Sequence, residues 1–237
     1  MLPGIGLAKG PLPAISRRME RALIIGASGG IGAALAAEVR SRGAECVTLS
    51  RSEDGLDVTD ANSVAATIAN LDGPFDVVFI ATGVLNAADG APEKSLSAIT
   101  ADQMADVFAA NAIGPALILS KIGPKLANTP RIGVLSARVG SIGDNKIGGW
   151  HSYRASKAAL NQIVRGASIE FARTHKGSVC VSLHPGTVET PFTARYAGRH
   201  KTTPAPEAAK NLVDVLLGLS PDQSGGFFDY SGAEIPW

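Results

Sequence analysis

Apolar positions fall into two kinds of run that alternate along this chain. Runs that are apolar almost throughout, each of strand length, cover Arg21–Ile25 (RALII), 46–49, 76–80 (DVVFI), 132–135, 179–183 and 226–230. Between them, residues 31–40, 61–71, 102–126, 153–173 and 206–219 carry apolar side chains three and four apart, the period of one helix face. Thr59 and Asp60 supply a cap ahead of the second helix. Strands with no polar alternation are buried on both faces. Repeated βα units built on such strands imply a parallel sheet sandwiched by helices. The predicted fold is therefore a single α/β domain over residues 19–237, a doubly wound parallel sheet with helices on both faces. One connection is too short for the pattern. Only Ser52, Glu53 and Asp54 separate Arg51 from the strand-like residues 55–58, whereas a parallel crossover needs about a dozen residues. Any strand there can only be a stub, so the fold is abbreviated between strands 2 and 3.

Residues 1–18 lie outside this rhythm. They hold Pro3, Pro11 and Pro13 and end in Arg17-Arg18, without the apolar core of a secretory signal. They read as a flexible N-terminal extension ahead of Met19; a misplaced start codon and a short basic targeting segment are the other readings. The 237 residues, 45% hydrophobic, suffice for one core. A formal net charge of +1 sets up no long-range field, so neither nucleic acid nor an anionic membrane is an expected partner. No apolar run approaches the roughly 18–20 residues of a membrane span. Cys46 and Cys180 lie in strand-like runs and read as buried free thiols of a cytoplasmic protein. No cluster of His, Cys, Asp and Glu has metal-ligand spacing.

Candidate chemistry starts where the first strand ends. Gly26, Ala27, Ser28, Gly29, Gly30, Ile31 and Gly32 form the turn into the first helix. Glycines let a backbone turn sharply and approach a pyrophosphate, and the helix N-terminus supplies free N–H groups. Any tight turn uses glycine, but this cluster sits at the strand-to-helix junction that a Rossmann-type dinucleotide site requires. An NAD site usually places an Asp or Glu at the end of the second strand. Here Ser50 and Arg51 stand there: no carboxylate repels a 2′-phosphate, and the guanidinium can hold one. The expected cofactor is NADP(H); in the competing reading Arg51 is a solvated surface residue, with Glu53 and Asp54 close by. Asp57 and Val58 are candidates for the adenine. Small residues at Ala81, Thr82 and Gly83 would let the adenosine ribose lie against backbone.

Tyr153 and Lys157 are four apart, on one helix face. A phenol with a reference pKa near 10 is a poor acid-base catalyst at neutral pH. An ammonium beside it, with a positive nicotinamide, favours the phenolate and lowers that value. The spacing alone is common on amphipathic helices. It is joined by Gly26-xxx-Gly30-x-Gly32, Asn111, Ser136 and Pro185-Gly186-x-Val188-x-Thr190. In order and spacing these resemble the short-chain dehydrogenase/reductase family from about Met19 to the C-terminus. The short connection after Arg51, the run GSIGDNKIGGWHSYRASKAALN and the terminal IPW are similar, more narrowly, to the sniffer and C-factor-like carbonyl reductases.

That resemblance implies an enzyme that interconverts a small aldehyde or ketone and its alcohol. Tyr153 would exchange a proton with the substrate oxygen, and Lys157 would hold the nicotinamide ribose and depress the Tyr153 pKa. Thr190 would sit by the carboxamide or the phosphates. The Asn111 carbonyl would hold a water of a proton relay. Pro115, four residues later, has no N–H for that carbonyl, so the sequence itself predicts a kink there. The family's carbonyl-orienting serine often lies three residues before a glycine, and counting back from Gly140 finds Ala137. Ser136 is one place early and Ser141 lies twelve before Tyr153; both stay candidates. His184 reads as structural, while Trp150 and His151 line the pocket or pack a loop. Residues after Thr190, with Phe192 and Tyr196, form an expected substrate lid. A homodimer or homotetramer through the helices at 102–126 and 153–173 is implied as well. The alternative function is a catalytically weak NADP(H)-binding sensor or signalling protein on the same fold.

Overall fold

The structure, a computed structural model, describes residues 19–86, 91–191, 193 and 202–237. Strands β1 (Arg21–Ile25), β2 (Glu45–Leu49), β3 (Phe75–Ile80), β4 (Leu126–Leu135), β5 (Val179–His184) and β6 (Phe227–Asp229) form one parallel sheet in the order β2-β1-β3-β4-β5-β6. Successive side chains of a strand point to opposite faces, and β1 shows the result. Ala22 and Ile24 join a core with helices α1 (Gly30–Ser41) and α7 (Ala205–Gly218). Leu23 and Ile25 join a second core with α3 (Ala61–Ala69), α5 (Gly114–Ile122) and α6 (His151–Thr174). Both faces are covered, as the unbroken apolar strands require. Each fully buried Leu or Ile contributes roughly 1.5–3 kcal/mol.

No strand forms at 55–58. One helical turn, α2 (Arg51–Asp54), follows β2 directly, with Ser50 as its cap, and Leu56 then plugs into the second core. The abbreviation therefore removes the whole strand, stub included. Because the chain leaves β1 for β2 and returns to β3 on the other side, a crevice opens between the C-terminal ends of β1 and β3. Open α/β sheets bind ligands at such a switch point.

The helix expected at 102–126 is a composite. Helix α4 (Ala101–Phe108) passes into a π-helical turn, Ala109–Ile113, and then into α5. By length and composition alone the rod Ala101–Lys125 is apolar enough to cross a membrane, a weak signal that a buried core helix gives as well. Its apolarity is explained by packing: Val107, Ile118, Leu119 and Ile122 are buried, against α3 and α6 among others. Cys180 is buried and Cys46 half-buried; both are free. At the far edge, the tail folds back on β6 through an antiparallel bridge between Phe228 and Glu234, and Trp237 stacks on Phe227 at 5.9 Å.

Candidate active site

The glycine turn is built for close approach. Gly26 has φ +92°, and a Cβ there would lie 2.8 Å from the Ala81 carbonyl carbon. One on Gly32 would sit 2.1 Å from the Gly26 oxygen, and one on Gly30 would lie 2.6 Å from Thr190 Cγ2. The turn is thus threaded between the end of β3 and the Thr190 segment. Ser28, Gly29 and Gly30 face solvent, and Gly29 leaves α1 without a side-chain cap. Open N–H groups at such a terminus favour an anion. Beside them, Thr82 Oγ1 is buried without a hydrogen-bond partner among the described residues, a need that a ligand in the crevice can meet.

At the other rim, Arg51 is exposed and forms no salt bridge among the described residues. The Ser50 amide, though, donates to Asp54 Oδ2 at 2.7 Å, and Ser50 Oγ accepts from the Glu53 amide at 3.2 Å. Asp54 therefore curls back to the end of β2, where a 2′-phosphate would compete with it. Asp57 is occupied locally: its Oδ1 accepts from Thr59 Oγ1 at 2.6 Å and from the Thr59 amide, which holds its carboxyl below the usual range. Val58 packs against Gly114, where a Cβ would come within 3.0 Å of its side chain.

Deeper in the crevice four segments meet. Asn111, in the π-helical turn, accepts from the Val84 amide at 2.7 Å and donates to the Val84 carbonyl at 2.8 Å and to Ser156 Oγ at 3.1 Å. Gly83 makes room for this: a Cβ there would stand 3.0 Å from Asn111 Oδ1 and 3.3 Å from Lys157 Nζ. Lys157 Nζ donates to the Leu135 carbonyl at 3.0 Å and lies 6.0 Å from the centre of the Tyr153 ring. Both side chains are buried. Burial pushes the Tyr153 phenol well up and pulls the Lys157 ammonium down to about 8. For Tyr153 the direction is upward and its cause is desolvation, which disfavours the phenolate. The break foreseen from Pro115 takes the form of the π turn around Asn111, a distortion common at functional sites.

Residues 20–200 match the family model for short chain dehydrogenases. The chain belongs to that family. This short-chain dehydrogenase is an oxidoreductase of that class, 38% identical to C-signal of Myxococcus xanthus over 167 residues, 70% of this chain and 94% of that protein. It is 29% identical to 1-hydroxy-2-glutathionyl-2-methyl-3-butene dehydrogenase of Rhodococcus sp. (strain AD45), covering 92% of this chain and all (100%) of the relative. A Burkholderia multivorans protein described as a short-chain dehydrogenase/reductase, solved with bound NADP, superposes with a TM-score of 0.80 at 28% identity, covering 93% and 100% of the two chains. The carbonyl reductase Sniffer of D. melanogaster shares the fold, with a TM-score of 0.79 at 23% identity over 93% and 100% of the two chains. The narrower likeness to the sniffer and C-factor-like group is thereby borne out.

In this short-chain dehydrogenase neither candidate serine offers a free proton. Ser136 Oγ donates to Asn161 Oδ1 at 2.7 Å, beneath α6. Ser141 Oγ donates to the Pro236 carbonyl at 2.5 Å and accepts from the Asp144 amide. Ala137, half-buried, occupies the turn between them. Pro185, Gly186 (φ +78°) and Val188 lead to Thr190, Val188 being anchored by a bridge to Thr203. His184 is kept neutral by burial, its pKa pulled to about 4, and its Nδ1 lacks a partner among the described residues. The Trp150 ring meets Tyr153 edge-on at 6.2 Å. No metal-binding cluster occurs among the described residues. The expected lid residues Phe192 and Tyr196, and the extension 1–18, lie outside the described residues. One residue escaped the sequence reading: Glu93, whose buried carboxylate accepts from Ser152, next to Tyr153. Nothing in its local pattern marks it.

Proposed function

We propose that this short-chain dehydrogenase is an NADP(H)-dependent carbonyl reductase, interconverting an aldehyde or ketone and its alcohol, with Tyr153 as proton donor and acceptor and Lys157 as its helper. The observation that carries the reading is the meeting of Tyr153, Lys157, Asn111 and Gly83 at the end of the crevice that the glycine turn opens. Cofactor fit is supported by the close backbone approach at Gly26, the uncapped α1 terminus, the unmet Thr82 hydroxyl and exposed Arg51. It is supported too by the NADP-bound relative of the same family. Bound NADPH would supply the hydride from its nicotinamide C4. Tyr153 Oη gives its proton to the substrate oxygen, and the charge left behind is stabilised by the Lys157 ammonium. The Leu135 carbonyl takes one of the three Lys157 N–H donors, which leaves two for a ligand or the phenol. Asn111 holds the backbone at Val84, keeping the crevice floor fixed. Thr190 covers Gly30 from above.

The committed serines favour a second reading, an NADP(H)-binding sensor or signalling protein with little turnover. A panel of carbonyl compounds mixed with protein and NADPH separates the two by cofactor absorbance. The reductase reading expects consumption, abolished in Tyr153→Phe with NADPH binding intact; a fully active Tyr153→Phe overturns it. NADPH binding without consumption across the panel supports the sensor. We further propose a homodimer or homotetramer assembled through the rod Ala101–Lys125 and α6. A groove of about 350 Å³ there is lined by Leu119, Ile163, Gly166 and Phe171, and Ile113 of the π turn and Ile169 of α6 are exposed. Light scattering after size exclusion tests it. The free thiols fit a reducing cytoplasm.

A further inference from the structure

Helix α6 begins in an unusual way. Gly148, Gly149 and Trp150 are all left-handed, with φ of +69°, +65° and +51°. Trp150 serves as the cap position but gives no side-chain cap, and it is the one non-glycine residue with positive φ among the described residues. The first-turn N–H groups therefore need acceptors from elsewhere. Glu93, in the loop after β3, supplies them. Its backbone carbonyl accepts from the Trp150 amide at 2.5 Å. Its carboxylate accepts from the Ser152 amide at 3.3 Å and, in a short contact, from Ser152 Oγ. A carboxylate at the positive end of a 24-residue helix is also favoured electrostatically. Burial opposes that charge, but the bonds from Ser152 keep the Glu93 carboxyl below its ordinary value. Every one of these bonds lands within three residues of Tyr153, and the Trp150 ring flanks the phenol edge-on.

We infer that Glu93 is a positioning residue for Tyr153, fixing the Trp150 ring and the Ser152 backbone that aim the phenol. This rests on Tyr153 being the proton donor. Glu93→Gln keeps a side-chain acceptor oxygen, Glu93→Ala keeps only the backbone carbonyl that Trp150 uses, and Ser152→Ala removes the hydroxyl donor while leaving the amide. In kinetics with NADPH and an accepted carbonyl, kcat should fall about 10- to 100-fold in Glu93→Ala, the range expected when a reacting group is misplaced. KM for NADPH should stay unchanged, because the glycine turn is untouched. Glu93→Gln should retain more activity than Glu93→Ala, and Glu93→Gln combined with Ser152→Ala should be no worse than the poorer single change. A Trp237→Phe background leaves Trp150 as the sole emitter of the chain's two tryptophans, and its emission should move in every variant of the pair. Folded variants with wild-type kcat, or a loss carried wholly by KM, overturn the inference. Should Glu93→Ala not fold, Glu93→Gln and Ser152→Ala decide. If the wild type consumes no NADPH, the reductase reading fails by itself. Trp150 emission still decides whether Glu93 sets this turn: a shift supports it and constancy overturns it.

Discussion

Ala137→Ser tests how hydroxyls are arranged around Tyr153. Ala137 stands at the end of β4, between a serine turned under α6 and one held by the tail, and it opens the 3-10 turn Arg138–Gly140. Gly140 of that turn packs so tightly that a Cβ would lie 2.8 Å from Lys157 Cβ, so the turn that residue 137 opens abuts the helix carrying Tyr153 and Lys157. A donor added to a developing oxyanion changes kcat by about 10²–10³ in a water-free site. Ala137 is half-buried, so water competes, and a gain of about 10- to 100-fold is expected, roughly 1.4–3 kcal/mol of barrier. Ser136→Ala is the matching control. It strips the buried Asn161 oxygen of its donor and should cost about 1–3 kcal/mol of stability, with little change in kcat. Initial rates of NADPH consumption and urea denaturation measure the two quantities. If Ser136→Ala remained stable yet lost turnover about 10²-fold, while Ala137→Ser gained nothing, Ser136 would be the orienting hydroxyl and the reasoning would be wrong.

Three further outcomes follow from the same geometry. Lys157 falls from 10.5 in the unfolded chain to about 8 when buried, so between those values the unfolded state holds the extra proton. Its contribution to stability should be flat below pH 8 and rise by about 3 kcal/mol toward pH 10.5. Tyr153, raised by burial, should pull stability down above its unfolded value of 10; urea midpoints against pH, with Lys157→Met removing the rise, check both signs. Arg51→Ala should weaken NADPH binding by about 10- to 100-fold, the loss of one charge-assisted bond, and leave NADH unaffected. Asp54→Asn should shift preference further toward NADPH, and calorimetric titration reads each. Gly32→Ala would drive a methyl to 2.1 Å from the Gly26 oxygen, forcing the turn open, and should abolish binding of either cofactor in the same titration.

Much of this architecture was legible because its signals are local. Unbroken apolar runs such as residues 76–80 announced strands covered on both faces, and the glycine turn lay at the right junction. The four-residue step from Tyr153 to Lys157 put both on one face of α6. What could not be read depends on partners far along the chain. Pro115 marked a break, yet whether the rod would kink or slip into a π turn depended on how Asn111 seats against Val84 and Ser156. Ser136 and Ser141 both stood as candidates in the sequence, which could not show that Asn161 and Pro236 take their protons. Ser50 caps a turn in place of a stub strand because Asp54 reaches back to its amide. Glu93 acts across 59 residues of sequence, beyond the reach of any period.

The returning tail ties distant parts of the molecule together. Ile235 hangs on the Phe227 carbonyl, while the carbonyls of Pro236 and Trp237 receive Ser141 Oγ and the Gly143 amide. The stretch linking β4 to α6 is consequently moored to the outer border of the sheet. A cargo fused behind Trp237, or a protease trimming it, would slacken that mooring and let Gly140 drift from Lys157. Pro236 and Trp237 thus bear, through residues 141 and 143, on the backbone that packs against Lys157.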